Sequence, residues 1–354
     1  MASRSRLSSQ SNGRLSGVSF QGTHGEHRQR IAVVRAGALG DVLLGVPALA
    51  ALRRHFPEAG ITLVGPLPAA RVAATMSLVD ELLSIDDSRL APLFDEQRSG
   101  AQVIEPLRDL DVAVVWLSRA QTVADHLQTA GARRVVAAPP YGRGASAPHA
   151  ADWLLATLAP LGVRVTSYWD SVPWLSPGEE GRAWAAEWHS HALAGASFAV
   201  LHPGSGSARK NWPAAGWVEV VRRVCAARGV RLVLTAGPAD SQALADVLAA
   251  VEAAIPEPVV LREPDLFQLA GVLERAALYL GNDSGVTHLA SGVGAPTVAV
   301  FGPTNPGVWR PRGPRVRVLG GNTAAGIGDA PLIAGESNWP EVVEVVEVAA
   351  ALVQ

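Results

Sequence analysis

The stretch "IAVVRAGALGDVLLGVPALAALRRHFPEAGITLVGP", residues Ile31 to Pro66, decides the fold. It opens with a continuous apolar run that ends at a glycine, as buried parallel strands do. A helical pattern follows in "VPALAALRRHFPEAG" and stops near Pro57 and Gly60, and "ITLVGP" is a second apolar strand. The order strand, glycine loop, helix, strand predicts a βαβ unit with a parallel sheet.

The same alternation recurs along the chain. Further strands are expected at "DVAVVWLS" and "RRVVAAPP", before interruptions rich in proline and glycine at 139–149 and 167–181. The pattern restarts at "ASFAVLHPGSGS", continues through "VRLVLTAGP", "PVVLREP", "LYLGNDSG" and "TVAVFGP", and closes with a predicted helix in "NWPEVVEVVEVAAALVQ". Because both halves open with an apolar strand into a glycine loop, we predict two doubly wound domains with a ligand cleft between them.

The expected division of the chain is a tail, an N-terminal domain and a C-terminal domain with a terminal helix. These cover residues 1–30, 31–172 and 173–354. The tail is rich in Ser, Gly, Gln and Arg and lacks the apolar run of a signal peptide, so we interpret it as disordered. No later stretch is long and apolar enough to predict a membrane span.

Charge and cysteine content exclude some classes of function. A net charge of −2 gives the chain no global attraction to nucleic acid, so no nucleic-acid partner is expected. The single cysteine, Cys225, rules out an internal disulfide and fits a reducing compartment. Its apolar helical surroundings, "GWVEVVRRVCAARG", indicate a packing role.

The first glycine loop, "RAGALGD", contains Gly37 and Gly40 as a G-x-x-G. A dinucleotide site needs G-x-G-x-x-G and an acid at the end of the next strand, and a P-loop needs a further lysine, so both are excluded. Asp41 follows the loop at a predicted helix N-terminus. Two interpretations stay open: a helix N-cap, or a carboxylate that takes a proton from an incoming hydroxyl.

The second loop, "LHPGSGSARKNWP", runs from Leu201 to Pro213. Gly204 and Ser205 offer backbone N–H groups and a hydroxyl, and Lys210 adds a positive charge just before a predicted helix. This composition predicts an anion-binding loop, and the alternative is an ordinary Gly/Ser turn.

The third segment, "LYLGNDSGVTHLASGVGAPTVAVFGPTNPGVWRP", is the most specific. Two of its predicted strands end in loops of small and polar residues, one around Asp283 and Ser284 and the other around Thr304. Ligands bind at this edge of an open α/β sheet, so we predict a site there. The structural alternatives are that Asp283 or Ser284 caps a helix and that His288 is only packed.

Together these segments resemble glycosyltransferase family 9, the heptosyltransferases that use ADP-heptose. The resemblance rests on "GDVLLGVPALAALRRHFPEAGITLVGP", "LHPGSGSARKNWPAAGWVEVV", "TAGPAD" and "DLFQLAGVLERAALYLGNDSGVTHLASGVGAPTVAVFGPT". It runs from about Ile31 to the loop near Trp309 and carries little signal over 85–185. It implies an α/β fold of GT-B type, with two Rossmann-like, doubly wound parallel-sheet domains facing across a cleft.

The resemblance also implies roles for individual residues. Asp41 matches the family's general base, in an acceptor-side loop with Gly37 and Gly40, and Lys210 matches the lysine that contacts the donor phosphates. The other residues that the resemblance assigns to donor binding are Gly204, Ser205, Asp283, Ser284, Gly285, His288, Gly302, Pro303 and Thr304.

The implied reaction is an inverting, metal-independent transfer of a heptose or related sugar from an ADP-sugar to a hydroxyl of a glycan or glycolipid. No cofactor and no metal are expected, and no His/Cys cluster has zinc spacing. The pair Asp109 and Asp111 forms a D-x-D, but it precedes its strand and so falls at the wrong end of the sheet for a metal-nucleotide site.

The family builds the lipopolysaccharide core, which implies a cytoplasmic enzyme; peripheral contact with the cytoplasmic face of the inner membrane stays open. Two alternatives from other classes also remain. One is a GT-B transferase or epimerase that uses another nucleotide-sugar, and the other is a non-catalytic nucleotide-sugar binding protein. The acceptor, the exact donor and the oligomeric state are not determined by the sequence.

Overall fold

The computed structural model describes residues 28–97, 103–144, 146–164, 169–251, 258–322 and 338–353. Most of the predicted tail therefore lies outside the described residues.

The N-terminal lobe is built on a five-stranded parallel sheet in the order β3-β2-β1-β4-β5. Its strands are β1 (Arg30–Arg35), β2 (Gly60–Gly65), β3 (Glu81–Ser84), β4 (Val112–Trp116) and β5 (Arg134–Ala138). The C-terminal lobe has a six-stranded parallel sheet in the order β11-β10-β9-β6-β7-β8. Its strands are β6 (Phe198–His202), β7 (Arg231–Ala236), β8 (Val259–Arg262), β9 (Leu278–Asn282), β10 (Thr297–Phe301) and β11 (Val316–Gly320).

The helices flank these sheets. In chain order they are α1 (Leu39–His55), α2 (Leu67–Thr75), α3 (Ala120–Thr129), α4 (Ala150–Thr157), α5 (Gly178–Leu193), α6 (Ala214–Arg228), α7 (Ser241–Val251), α8 (Leu266–Arg275), α9 (Gly285–Gly292), α10 (Pro306–Trp309) and α11 (Val342–Leu352). Short 3-10 turns occur at Ser88–Phe94, Glu105–Leu107, Ala159–Leu161, Ala208–Lys210 and Pro238–Asp240. The prediction of two Rossmann-like domains is confirmed.

Helix α1 differs from the helix that the sequence predicts. It begins at Leu39 rather than near Val46, and Pro47 lies inside it. A proline inside a helix removes one backbone hydrogen bond and strains the preceding turn. Here that cost is outweighed by burial, since nearly every residue from Val42 to Leu52 is inaccessible to solvent. The early start puts Asp41 in the first turn of the helix.

The largest buried apolar cluster contains side chains of both lobes, among them Leu43 of α1 and Leu289 of α9. From Trp174 onward the chain is attached to the C-terminal lobe, because the amides of Trp174 and Leu175 both donate to the Gly292 carbonyl. The boundary at residues 172 and 173 stays a prediction. Within the described residues, no helix combines the length and apolar character needed to cross a bilayer.

A second cluster lies behind the C-terminal sheet, where α6, α7 and α11 pack. Cys225 is buried there, and burial raises the pKa of its thiol to about 11, so the thiol stays protonated and unreactive at neutral pH. The packing role expected for this cysteine is confirmed.

Candidate active site

A cavity of about 380 Å³ lies between the lobes, at the carboxyl ends of the central strands. Its size falls in the range that small-molecule sites occupy. The residues that line it come from both lobes: Ala38, Gly40, Asp41, Leu44, Gly206, Lys210, Asp283, Ser284, Gly285, His288, Thr304 and Trp309.

Asp41 forms the N-terminal wall of this cavity. Ala38 is the N-cap of α1 and Asp41 the third helical residue, so the interpretation of Asp41 as the N-cap is wrong. Its Oδ2 accepts a hydrogen bond of 2.9 Å from the Ala38 amide, one of the N–H groups that the helix start leaves unpaired. The side chain keeps 33% of its surface exposed, so a carboxylate with one fixed oxygen borders the cavity.

The two glycines of the first loop, Gly37 and Gly40, have different structural roles. Gly37 has φ of +120°, a backbone conformation that side chains rarely adopt, and a Cβ there would lie 2.6 Å from the Asp41 Cβ. Gly37 thus lets the loop pass close behind Asp41 and does not line the cavity. Gly40 does line it and lies against Gly285 of the other lobe.

Lys210 and Asp283 form the opposite wall. The lysine Nζ lies 3.2 Å from Asp283 Oδ2, and the Thr304 hydroxyl donates to the same oxygen at 2.9 Å. Asp283 is only 6% exposed, and a buried carboxylate is costly without such partners. The family resemblance assigns Asp283 to donor binding; in the structure its Oδ2 holds the lysine and the threonine.

Ser284, Gly285 and His288 reach the cavity from the start of α9. Ser284 is the N-cap of this helix and accepts from the Thr287 amide at 3.3 Å, so the capping alternative holds while the residue also lines the cavity. Burial lowers the pKa of His288, which keeps its imidazole neutral at pH 7.

Gly204 and Ser205 do not line the cavity; Gly206 does. A Cβ on Gly204 would overlap the Asp240 carboxylate, so this glycine allows close packing of two loops. The Ser205 hydroxyl lies 2.6 Å from the Ser207 carbonyl and 2.7 Å from Asn211 Oδ1. Both residues therefore shape the loop that carries Lys210.

Of the loop at the end of β10, only Thr304 lines the cavity. Gly302 packs flat against Trp339, where a Cβ would overlap the indole ring. Pro303 is buried, and the Asn322 amide donates to the Thr304 carbonyl at 3.0 Å. Gly302 and Pro303 thus set the position of Thr304.

Several functional residues were missed from the sequence. Asn282, fully buried, accepts from the Trp212 amide and donates to the Pro203 carbonyl, which ties the Lys210 loop to the end of β9. Leu44 lies one turn after Asp41, and the helical spacing could have identified it. Trp309 packs edge-on against Tyr141 with ring centroids 5.1 Å apart, and nothing in the sequence links these two positions.

A polar seam joins the lobes beside the cavity. The Arg312 guanidinium makes two hydrogen bonds to the Asp152 carboxylate, at 2.8 and 2.5 Å, and His149 Nε2 lies 2.9 Å from the Arg310 carbonyl. Burial, with the nearby Arg312 charge, lowers the pKa of His149 to about 3, so this histidine is neutral at pH 7. The seam holds the N-terminus of α4 against the segment after α10.

The D-x-D pair lies where the sequence predicted, at the opposite edge of the sheet. Asp111 precedes β4 and accepts from the Arg30 amide at 2.9 Å. An open hollow of about 620 Å³ lies at that edge too, where Asp80 binds both Arg28 and Arg53. No group of three or more metal-ligating side chains occurs among the described residues.

Comparison with known proteins agrees with this geometry. Residues 178–327 match the model of glycosyltransferase family 9 (heptosyltransferase). Lipopolysaccharide heptosyltransferase 1 of Pseudomonas aeruginosa is 29% identical over 296 residues, which cover 78% of this chain and 80% of that protein.

Two solved structures show the same fold. A family 9 glycosyl transferase from Veillonella parvula aligns with a TM-score of 0.71 at 23% identity, over 93% of this chain and 98% of its own. The ADP-heptose lps heptosyltransferase II of Escherichia coli gives 0.67 at 20% identity, over 92% and 98%. The C-terminal lobe therefore matches glycosyltransferase family 9, and the chain as a whole resembles the heptosyltransferases of that family and is a glycosyltransferase with the GT-B fold.

Proposed function

We propose that this glycosyltransferase moves a heptose, or a closely related sugar, from an ADP-sugar to a hydroxyl of a lipopolysaccharide-type glycolipid, with inversion and with Asp41 as general base. The observation that carries the proposal is that Asp41 and Lys210, from opposite lobes, line one cavity. The names of the relatives support the sugar and the acceptor, since those proteins are lipopolysaccharide heptosyltransferases and one is named for ADP-heptose.

The acceptor step follows from the position of Asp41. The acceptor oxygen attacks the anomeric carbon from the face opposite the diphosphate, and its proton passes to the Asp41 carboxylate. The Ala38 amide holds one carboxylate oxygen, which restricts the side chain to few orientations. General-base assistance of this kind contributes on the order of 10² to 10⁴ in rate.

The leaving group departs toward the C-terminal lobe. As the bond from the anomeric carbon to the diphosphate oxygen breaks, the electron pair and negative charge go to the diphosphate. Lys210 supplies a positive charge without a metal, and the positive end of the α9 dipole lies on the same wall. Asp283 and Thr304 hold the lysine in position before the donor binds.

His288 is the competing candidate for the base, because it also lines the cavity. Burial lowers its pKa, which makes the imidazole a weaker proton acceptor than an exposed histidine. Its ring is 4% exposed, whereas the Asp41 carboxylate is one-third exposed. The more accessible group is therefore assigned as the base.

The decisive experiment measures sugar transfer from ADP-heptose to a deacylated lipopolysaccharide core acceptor by wild type and D41N. The amide can still accept from Ala38 but cannot take a proton, so kcat should fall about 10² to 10⁴-fold while ADP affinity is kept. D86N, at an exposed aspartate outside the cavity, is the matched control. Transfer by D41N at the wild-type rate would remove Asp41 as the base.

The donor nucleotide is tested by ligand-dependent stabilisation. A ligand that binds only the folded state raises its stability by mass action, by about 2.7 kcal/mol at a concentration of 100 times Kd. ADP and ADP-sugars should raise Tm more than UDP or GDP counterparts at equal concentration. A larger shift with UDP would assign the enzyme to a different donor.

A glycolipid acceptor would bring the working enzyme to the cytoplasmic face of the inner membrane. Co-sedimentation with vesicles that contain the acceptor tests this peripheral contact. Vesicles without the acceptor provide the control, since the net charge of −2 gives the chain no general attraction to lipid headgroups.

A further inference from the structure

We propose that Arg35 is a positioning residue that fixes the main chain of Asp41 and ties it to the segment that packs against Trp309, a residue of the cavity wall. The proposal rests on the proposed function, because it assigns Arg35 a role through the Asp41 carboxylate. Arg35 is the last residue of β1, the central strand of the N-terminal sheet, and is 2% exposed.

The guanidinium contacts both the main-chain carbonyl and the side-chain carboxylate of Asp41. Nε and Nη2 both donate to the Asp41 carbonyl, at 3.0 and 2.9 Å, and Nη2 lies 3.5 Å from the carboxylate Oδ1. A planar fork that bonds one carbonyl twice fixes direction as well as distance. With Oδ2 held by Ala38, both the main chain and the side chain of Asp41 are restrained.

The third nitrogen connects Asp41 to the cavity wall. Nη1 donates to the Pro140 carbonyl at 3.4 Å, and the Trp153 indole donates to the adjoining Pro139 carbonyl at 2.9 Å. The next residue, Tyr141, packs against Trp309, which lines the cavity. Arg35 thus joins the base to a segment that reaches the opposite lobe.

Burial of a charged guanidinium at this position carries a desolvation cost. The other residues of β1 from Ile31 to Val34 are apolar, and an apolar side chain would avoid desolvating a charge. Burial lowers the pKa of Arg35, and the Asp41 charge partly offsets that effect. The arginine does not line the cavity, so it acts through the residues it holds.

Arg35 is expected to affect the reaction rate because it restrains the position of Asp41. A misplacement of about 1 Å between a base and its reacting hydroxyl costs on the order of 10² in rate. Loss of Arg35 should therefore lower kcat more than it changes donor binding. If Arg35 were purely structural, its loss would instead lower the free energy of unfolding and leave the turnover of the folded enzyme unchanged.

The test is a double-mutant cycle with R35M and D41N, read as kcat, donor KM and ADP affinity. R35M should lower kcat about 10 to 100-fold with ADP affinity within about twofold of wild type. R35K, which keeps a cation and can reach one carbonyl, should recover part of the loss. In the D41N background R35M should cause little further loss, because a positioning residue has nothing left to position.

R30M is the matched control, since Arg30 begins the same strand and bonds the carbonyls of Glu105 and Pro106 at the opposite edge. R30M should keep the wild-type kcat. Unfolding curves for every variant identify any that is unfolded at the assay temperature, and R35K and R35Q then complete the cycle. Wild-type kcat in the folded Arg35 variants, or equal losses in both backgrounds, would overturn the proposal.

The two proposals fail in different ways. If D41N transfers sugar at the wild-type rate, the base assignment fails whatever Arg35 does. If D41N loses transfer and the Arg35 variants keep full kcat, only the positioning role fails.

Discussion

Gly285 of the C-terminal lobe lies so close to Gly40 of the N-terminal lobe that a Cβ on Gly285 would sit 2.9 Å from the Gly40 amide nitrogen. The same Cβ would lie 2.8 Å from the Leu39 Cβ. The starts of α1 and α9 therefore meet at these two glycines, and the distance between the lobes at the cavity depends on the absence of a side chain at Gly285, since a Cβ on Gly40 would come no closer than 3.4 Å to its neighbours.

The first prediction is that G285A separates the lobes. The added methyl group must displace the backbone of α1, so we expect kcat/KM for sugar transfer to fall about 10 to 100-fold, as misplacements of this size do. Small-angle X-ray scattering should give a larger radius of gyration for G285A than for wild type.

Gly45 provides the control within the same contact region. It is buried in α1, yet a Cβ there would meet nothing within 4 Å. G45A should keep wild-type transfer and gain up to about 1 kcal/mol of stability from helix propensity. A G285A enzyme that matched G45A in activity and scattering would contradict the spacing role of Gly285.

The second prediction concerns the Lys210 ammonium. K210A should weaken ADP binding about 10 to 100-fold if the proposed function holds, because Lys210 is then the cation of the cavity lining that contacts the diphosphate. R209A removes the same unit of charge from the neighbouring, exposed position and does not alter the cavity lining. Isothermal titration of both variants with ADP separates contact from general electrostatics. Equal losses in K210A and R209A would argue against a direct contact.

How far the sequence predicts this structure depends on where each residue lies. The buried central strands β1, β4, β6, β9 and β10 have mainly apolar sequences and were predicted, whereas β3 and β11 were not. Those two are half-exposed edge strands, "ELLS" and "VRVLG", and edge positions relax the apolar pattern.

The candidate site follows the same logic. Asp41, Lys210 and Thr304 lie in or just beyond the loops that follow β1, β6 and β10, and the carboxyl edge of a parallel sheet brings such loops together. The role of Arg35 could not be predicted from the sequence, because a single arginine at the end of an apolar strand is typical of a surface residue. The Arg312–Asp152 pair spans 160 positions, and no local pattern encodes a contact of that separation.

The third prediction is that the lobe seam stabilises the folded chain. D152A leaves the Arg312 guanidinium, 8% exposed, without its carboxylate. Loss of one partner of a buried pair costs about 3 to 5 kcal/mol, and the partial exposure of Asp152 reduces this to about 1 to 2 kcal/mol. Urea unfolding measures the difference. E187A, which removes an exposed acid from α5, is the control, and equal midpoints for the two variants would contradict a role for the seam.

The fourth prediction is a loss of stability in mild acid through His149. Its pKa is lowered to about 3 in the folded state, mainly by burial, against an ordinary histidine pKa of about 6.5. Between these values the unfolded chain binds a proton that the folded chain does not, so the free energy of unfolding falls as pH decreases. The contribution is about 1.4 kcal/mol per pH unit.

H149Q tests this directly. His149 Nδ1 accepts from the Ala151 amide, so the other nitrogen, Nε2, carries the proton and donates to the Arg310 carbonyl. A glutamine amide nitrogen can take over that donation without titrating. The free energy of unfolding, measured in urea from pH 7 to 5, should therefore fall less steeply in H149Q than in wild type. The difference in slope should approach that of one proton, about 1.4 kcal/mol per pH unit. H191Q, at an exposed position of α5, controls for the loss of one imidazole. An unchanged slope in H149Q would mean that His149 takes up its proton equally in both states, and the buried seam would then not be the source of any acid sensitivity.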